Sequence, residues 1–252
     1  MDCTPIFIAG PCVIESADTL DTVAKELNRL RSVLGVDIIF KASFDKANRT
    51  SIHSFRGPGL EKGMQMLADI KEKYKLRILT DIHESWQAEP VSKVVDVIQI
   101  PAFLCRQTDL LVAAARTQCI VNIKKAQFLS GLDMEYPVQK VNESGGREVW
   151  LTERGNMYGY NNLVVDFRNI ADMHRFTPTV IMDCTHSVQR PGAAGGKTGG
   201  NREFIPAMAL AAKAFGANGY FFETHPEPDK ALSDGPNMLP LSEMERVIKS
   251  LL

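Results

Sequence analysis

Short apolar runs alternate along this chain with longer stretches in which apolar residues recur every three or four positions. The short runs cover residues 6–9, 37–41, 77–80, 97–100, 120–123, 148–152, 180–182 and 219–223. Most are bounded by turn or polar residues, which predicts strands buried on both faces, as in a parallel sheet. Between them, Leu20, Val23, Ala24, Leu27 and Leu30 fall on one helical face, and Met64, Leu67 and Ile70 do the same within 63–74. Residues 109–116, 136–144 and 204–215 also predict helices, with Pro137 suited only to a first turn. A last helix is expected to open with Ser242 and Glu245 at capping-box spacing, ahead of Val247 and Ile248. Eight strands, each followed by a helical pattern, predict an α/β fold of the closed (β/α)8 TIM barrel type. No GxGxxG follows the first strand, which counts against an open doubly wound sheet.

The length agrees. At 252 residues the chain is expected to form one barrel domain over 1–252, since this fold takes about 250 residues. No repeat or linker interrupts it, and the Gly-rich run 192–200 reads as a mobile loop rather than a boundary. A formal net charge of −1 offers no bulk attraction for nucleic acid or an anionic membrane, so neither is expected as a partner. No apolar run is long enough to span a bilayer, and Met1-Asp2-Cys3-Thr4-Pro5 does not read as a signal peptide. Cys3, Cys12, Cys105, Cys119 and Cys184 are odd in number and form no CxxC pair, which excludes a disulfide scaffold or zinc ribbon and fits the cytoplasm.

Chemistry-bearing residues gather just beyond the strands. The first strand leads to Cys12, the second to Lys41, Ser43, Lys46, Asn48 and Arg49, and the third to Asp81 and His83. Gln99 ends the fourth, Lys124 and Lys125 the fifth and Arg154 the sixth; Asp183 and His186 follow the seventh, Glu223 and His225 the eighth. In a closed barrel these ends share one mouth, where active sites lie. Lys41, Lys46, Arg49, Lys124 and Arg154 would repel one another there without acidic partners, so a polyanionic ligand is expected. Cys12, His186, Glu223 and Asp234 offer the mixed donors that a divalent transition ion accepts, provided closure makes the first and last strands neighbours. His53 is expected to be structural and His174 to have no chemical role. Trp86 and Trp150 are expected to pack, and Cys105 to lie unreactive at a subunit contact.

Seven stretches complete the picture: Ile8-Ala-Gly-Pro-Cys-Val-Ile-Glu-Ser16, Phe40-Lys-Ala-Ser-Phe-Asp-Lys-Ala-Asn-Arg49, Thr80-Asp-Ile-His-Glu84, Gln99-Ile-Pro-Ala-Phe103, Leu151-Thr-Glu-Arg-Gly155, Asp183-Cys-Thr-His-Ser187 and Phe222-Glu-Thr-His-Pro-Glu227. With them the chain closely resembles the 3-deoxy-D-manno-octulosonate 8-phosphate synthase family, nearly end to end. The resemblance implies condensation of phosphoenolpyruvate with D-arabinose 5-phosphate and water, towards lipopolysaccharide, in a homotetramer. It implies that Lys41, Ser43, Lys46, Gln99, Ala102, Lys124 and Arg154 hold phosphoenolpyruvate. Asn48, Arg49 and Thr50 would hold the sugar phosphate, with Arg106 reaching a neighbouring subunit's site. Family members usually carry Ser where this chain has Thr50, which keeps the hydroxyl. Lys46, Asp81, His83, His186 and Asp234 would take the catalytic roles.

Metal-requiring members carry Cys at the position of Cys12 and metal-independent ones Asn. The resemblance therefore implies one divalent ion per subunit (Zn, Fe, Mn or similar) on Cys12, His186, Glu223 and Asp234. Two other readings stand beside this one. The related heptulosonate phosphate synthases use erythrose 4-phosphate, but typically carry Lys-Pro-Arg-Thr where this chain has Lys46-Ala-Asn-Arg49. A non-catalytic barrel that senses phosphometabolites is opposed by candidate residues at nearly every strand end.

Overall fold

The computed structural model describes residues 4–49, 51–194 and 197–252. Eight strands, β1 (Ile6–Gly10), β2 (Asp37–Lys41), β3 (Arg77–Asp81), β4 (Val97–Ile100), β5 (Ile120–Lys124), β6 (Glu148–Glu153), β7 (Val180–Asp183) and β8 (Gly219–His225), pair in sequence order, all parallel. The register from Ile6 opposite Gly219 to Gly10 opposite Glu223 joins β8 to β1 and closes the barrel. All eight expected strands are present, and none extends more than two residues beyond its expected range.

Helices α1 (Ala17–Leu34), α2 (Leu60–Tyr74), α3 (Ala88–Ser92), α4 (Thr108–Arg116), α5 (Glu135–Glu143), α6 (Arg168–Met173), α7 (Ile205–Ala214) and α8 (Met244–Leu251) surround it. Helix α1 buries the five residues on its predicted face. It starts where the Ser16 hydroxyl accepts the Thr19 amide at 3.1 Å, and it stops at Gly35, whose φ of 63° suits glycine. Ile8, Ile39, Leu79, Val97, Trp150, Ile181 and Phe221 fill the barrel interior. A larger apolar layer lies between sheet and helices.

Several expectations need correction. Helices α3 and α6, five and six residues long, are too short to display a 3.6-residue period. The expected capping box at Ser242 does not form. Ser242 lies inside a 3-10 turn (Leu241–Glu243) that leads into α8, and Glu245 pairs with Arg29 and Lys249 instead. The Gly-rich run is not a plain loop, because Gln189–Ala194 and Lys197–Gly200 pair as an antiparallel ribbon. Trp150 packs as expected, but Trp86 is 65% exposed. Cys105 is fully buried within the single chain. His53 is exposed, and the His174 ring lies 3.0 Å from the Gly216 carbonyl.

Gly10 is needed where β1 runs beside the end of β2: a Cβ there would lie 2.0 Å from the Lys41 carbonyl oxygen. Gly10→Ala is expected to lower stability by at least about 1–3 kcal/mol, the usual cost of overpacking. An unchanged thermal unfolding midpoint would contradict that packing.

Candidate active site

Closure of a parallel barrel brings all eight C-terminal strand ends to one rim. Lys41, Asp81, Lys124 and Asp183 are the last residues of β2, β3, β5 and β7; Gln99 and Glu223 lie near the ends of β4 and β8, and Arg154 follows β6. All seven are buried, and Phe221 forms the floor beneath them, its ring centre 3.8 Å from the Lys124 ammonium.

The lysines are not free of acidic partners, contrary to the simple reading of converging cations. Lys41 Nζ donates to the Cys12 carbonyl at 2.9 Å and to Glu223 Oε1 at 3.2 Å; Lys46 Nζ lies 3.9 Å from the same oxygen. Lys124 Nζ donates to Asp183 Oδ2 at 2.5 Å. A buried ammonium without a partner would cost roughly several kcal/mol, and two carboxylates serve the three lysines, Glu223 for Lys41 and Lys46 and Asp183 for Lys124. Burial alone would raise the Glu223 and Asp183 carboxyls. The charges of His186 and the lysines outweigh it and hold both well below the usual carboxylate range. Burial draws Lys124 down from the ordinary lysine value, and Asp183 opposes that.

Arg154 is different. It is 5% exposed, and its Nη2 donates to Gln189 Oε1 at 2.8 Å. Among the described residues its Nη1 has no hydrogen-bond partner, and the guanidinium forms no ion pair. A guanidinium stays charged in any protein setting, and a buried charge is stable only beside a counter-charge. The geometry suits an anion arriving from solvent.

Across the mouth, donor atoms of Cys12, Glu223 and Asp234 lie within 4.8 Å of one another. Cys12 Sγ is 3.1 Å from Ser233 Oγ and 3.2 Å from Asp234 Oδ2. His186, the fourth expected ligand, stands beside this trio with Nε2 3.6 Å from Glu223 Oε2, an oxygen that has no hydrogen-bond partner among the described residues. Asp183 fixes the ring by contacting Nδ1 at 2.8 Å and also accepts the His186 amide at 2.8 Å. Thiol, carboxylates and an imidazole oriented by a carboxylate are a donor set that fits a divalent transition ion. Burial, then the nearby Glu223 charge, pushes the Cys12 thiol well above its ordinary value.

On the opposite side, Asp81 bonds the Ser43 hydroxyl through Oδ1, and its Oδ2 lies 3.1 Å from His83 Nε2. Burial would raise Asp81, but His83 and Lys41 hold it well below the ordinary value. Gln99 accepts from Asn122 Nδ2 at 3.3 Å, and Ala102 opens the turn after β4. Arg49 donates to the Phe55 carbonyl at 3.1 Å and the Leu232 carbonyl at 3.3 Å, which ties the loop after β2 to the one that carries Asp234. Asn48 is exposed on that loop, and Thr50 lies outside the described residues. Arg106 is exposed before α4 and shares no hydrogen bond or ion pair with the mouth among the described residues. Asp183, Gln189 and Ser233 were given no role from sequence. Only the three-residue spacing of Asp183 to His186 hinted at one.

A surface groove of about 510 Å³ between α2 and α3 is not a rival site. Its lining includes Leu60, Met64, Trp86, Pro90 and Val94, with Glu61 and Gln65 as the polar members and no cation.

Barrel and mouth together define a (β/α)8 enzyme with a place for an anionic substrate. By comparison with known proteins the chain belongs to the DAHP synthetase I family, whose model matches residues 1–251. It is 55% identical to a 2-dehydro-3-deoxyphosphooctonate aldolase of Campylobacter jejuni subsp. doylei, over 98% of this chain and 96% of that protein. Proteins of the same name from Fusobacterium nucleatum and Wolinella succinogenes are each 53% identical, over 97% and 98% of this chain and 88% and 98% of theirs.

Proposed function

We propose that this chain condenses phosphoenolpyruvate with D-arabinose 5-phosphate and water. The products are 3-deoxy-D-manno-octulosonate 8-phosphate and inorganic phosphate, on the way to lipopolysaccharide. The buried Arg154 guanidinium, which forms no ion pair among the described residues, carries the reading. The names of relatives at 53–55% identity supply the reaction.

Lys41, Ser43, Lys46, Gln99, Ala102, Lys124 and Arg154 hold phosphoenolpyruvate. Asn48, Arg49 and Thr50 hold the sugar phosphate, and Arg106 serves a neighbouring subunit in a homotetramer in the cytoplasm. C3 of phosphoenolpyruvate bonds to the aldehyde carbon, whose oxygen takes up a proton. Water adds at C2 and loses a proton, and phosphate leaves by C–O cleavage. Fixed cations overcome the repulsion between two anionic substrates and hold them in register. Asp81 and His83, joined at 3.1 Å, form a pair placed to hold or pass a proton at the sugar end. Lys46, His186 and Asp234 share the catalytic roles with that pair. Cys12, His186, Glu223 and Asp234 would hold one divalent ion (Zn, Fe, Mn or similar). Such an ion, when bound, would polarise an oxygen or orient a substrate.

Phosphate release with each aldose tests the sugar assignment. Arabinose 5-phosphate is expected to support turnover far better than erythrose 4-phosphate; the reverse preference would move the chain to heptulosonate synthesis. Arg49→Ala is expected to raise the KM for arabinose 5-phosphate about tenfold or more, because hydrogen bonds to charged groups contribute about 1.5–3 kcal/mol. An isolated rise in the phosphoenolpyruvate KM would mean that the two substrate assignments are exchanged.

A further inference from the structure

Behind Lys124 and Arg154 lies a second charged pair that the proposed reaction does not use. Side chains alternate between the two faces of a strand. Lys124 and Arg154 line the mouth, so their neighbours Lys125 and Glu153 face the layer between barrel and helices. Both are fully buried, with Lys125 Nζ 3.3 Å from Glu153 Oε1.

The pair grips main chain on both loops. Glu153 Oε1 accepts the Arg154 amide at 2.8 Å and the Gly155 amide at 2.5 Å. Lys125 Nζ lies 3.1 Å from the Leu129 carbonyl, 3.5 Å from the Gly155 carbonyl and 3.0 Å from Asn156 Oδ1. Gly155 has a φ of 90°, in the left-handed region that favours glycine. The turn from which the Arg154 side chain departs is thus fixed at two amides and one carbonyl. The residue that holds the carbonyl is bonded in sequence to Lys124.

We infer that the Lys125–Glu153 pair is a positioning device that sets where Arg154 and Lys124 meet phosphoenolpyruvate; this rests on the proposed role of those two cations. Stability alone does not account for it, since a packed apolar pair often equals or exceeds a buried ion pair. An apolar pair cannot accept the two amides or donate to the Gly155 carbonyl. Burial lowers Lys125 from the ordinary lysine value, and Glu153 opposes that shift.

The test compares Lys125→Met, Lys125→Arg and the double variant Lys125→Met with Glu153→Leu. Phosphoenolpyruvate affinity is measured by calorimetry, KM by phosphate release and folding by thermal unfolding. Lys125→Met is expected to weaken phosphoenolpyruvate binding and raise its KM on the order of tenfold, since small misplacements of positioning groups have large effects. The arabinose 5-phosphate KM stays within about twofold, and Lys125→Arg recovers part of the loss. Should Lys125→Met fail to fold, the double variant decides, because it leaves no buried charge unpaired. It is expected to fold, with a midpoint lowered by the two amides left without an acceptor, and to keep the binding defect. Parental affinity in the double variant, beside lost affinity in Arg154→Ala, would overturn the inference alone. Parental affinity in Arg154→Ala would overturn the reading of the mouth on which it rests.

Discussion

Arg154→Ala is expected to weaken phosphoenolpyruvate binding by tenfold to a hundredfold, and Lys124→Ala by a similar factor. Each removes a charge-assisted contact of about 1.5–3 kcal/mol. The two variants should differ in stability. Arg154 bonds only the neutral Gln189 side chain among the described residues, so its loss leaves no carboxylate stranded. Lys124 is the lysine partner of Asp183, and removing Lys124 leaves that buried carboxylate with only His186 and the Thr185 amide. Breaking a buried pair from one side costs about 3–5 kcal/mol, so Lys124→Ala should unfold at a clearly lower temperature than Arg154→Ala. Calorimetric titration with phosphoenolpyruvate and thermal unfolding read both effects. Unchanged affinity in both folded variants would remove the mouth as the phosphoenolpyruvate site.

Removal of divalent metal is expected to abolish turnover without unfolding the chain. Cys12 and Glu223 are fully buried, and the barrel interior on which they stand is apolar. Dialysis against a chelator, followed by metal analysis and circular dichroism, should yield a folded protein inactive in phosphate release. Mn²⁺, Zn²⁺ or Fe²⁺ should restore activity at one ion per subunit, several ions being accepted because the donors are chemically mixed. Cys12→Ser should lower the bound-metal ratio in direct analysis, whatever its effect on rate. Full activity in verified metal-free protein would sink the metal role and leave the synthase reading standing.

The barrel was legible in the sequence because buried parallel strands show as bare apolar runs, and all eight did. Helices α3 and α6 were not, because fewer than two turns carry no period. The active-site residues were legible only through the barrel: a rule about strand ends converted distant positions such as Cys12 and Glu223 into neighbours. The electrostatic pairing was not. Nothing local links Lys124 to Asp183, 59 positions apart, or Lys41 to Glu223, 182 apart, yet each contact decides how much charge the mouth offers a ligand. Asp183 stood among the strand-end residues without an assigned role, since its work is to hold His186 and Lys124 rather than to face solvent. The resemblance named ligands for both substrates and a metal, but the bracing behind Arg154 came into view only with distances.

The eight-carbon keto-sugar phosphate itself is the most direct readout of the proposed reaction. Purified protein with Mn²⁺ is mixed with phosphoenolpyruvate and arabinose 5-phosphate, and product mass and released phosphate are measured together. The account predicts one phosphate released per molecule of a product whose mass equals both substrates plus water minus phosphate. Phosphate release without that product, or no reaction with any aldose phosphate in folded, metal-loaded protein, would contradict it.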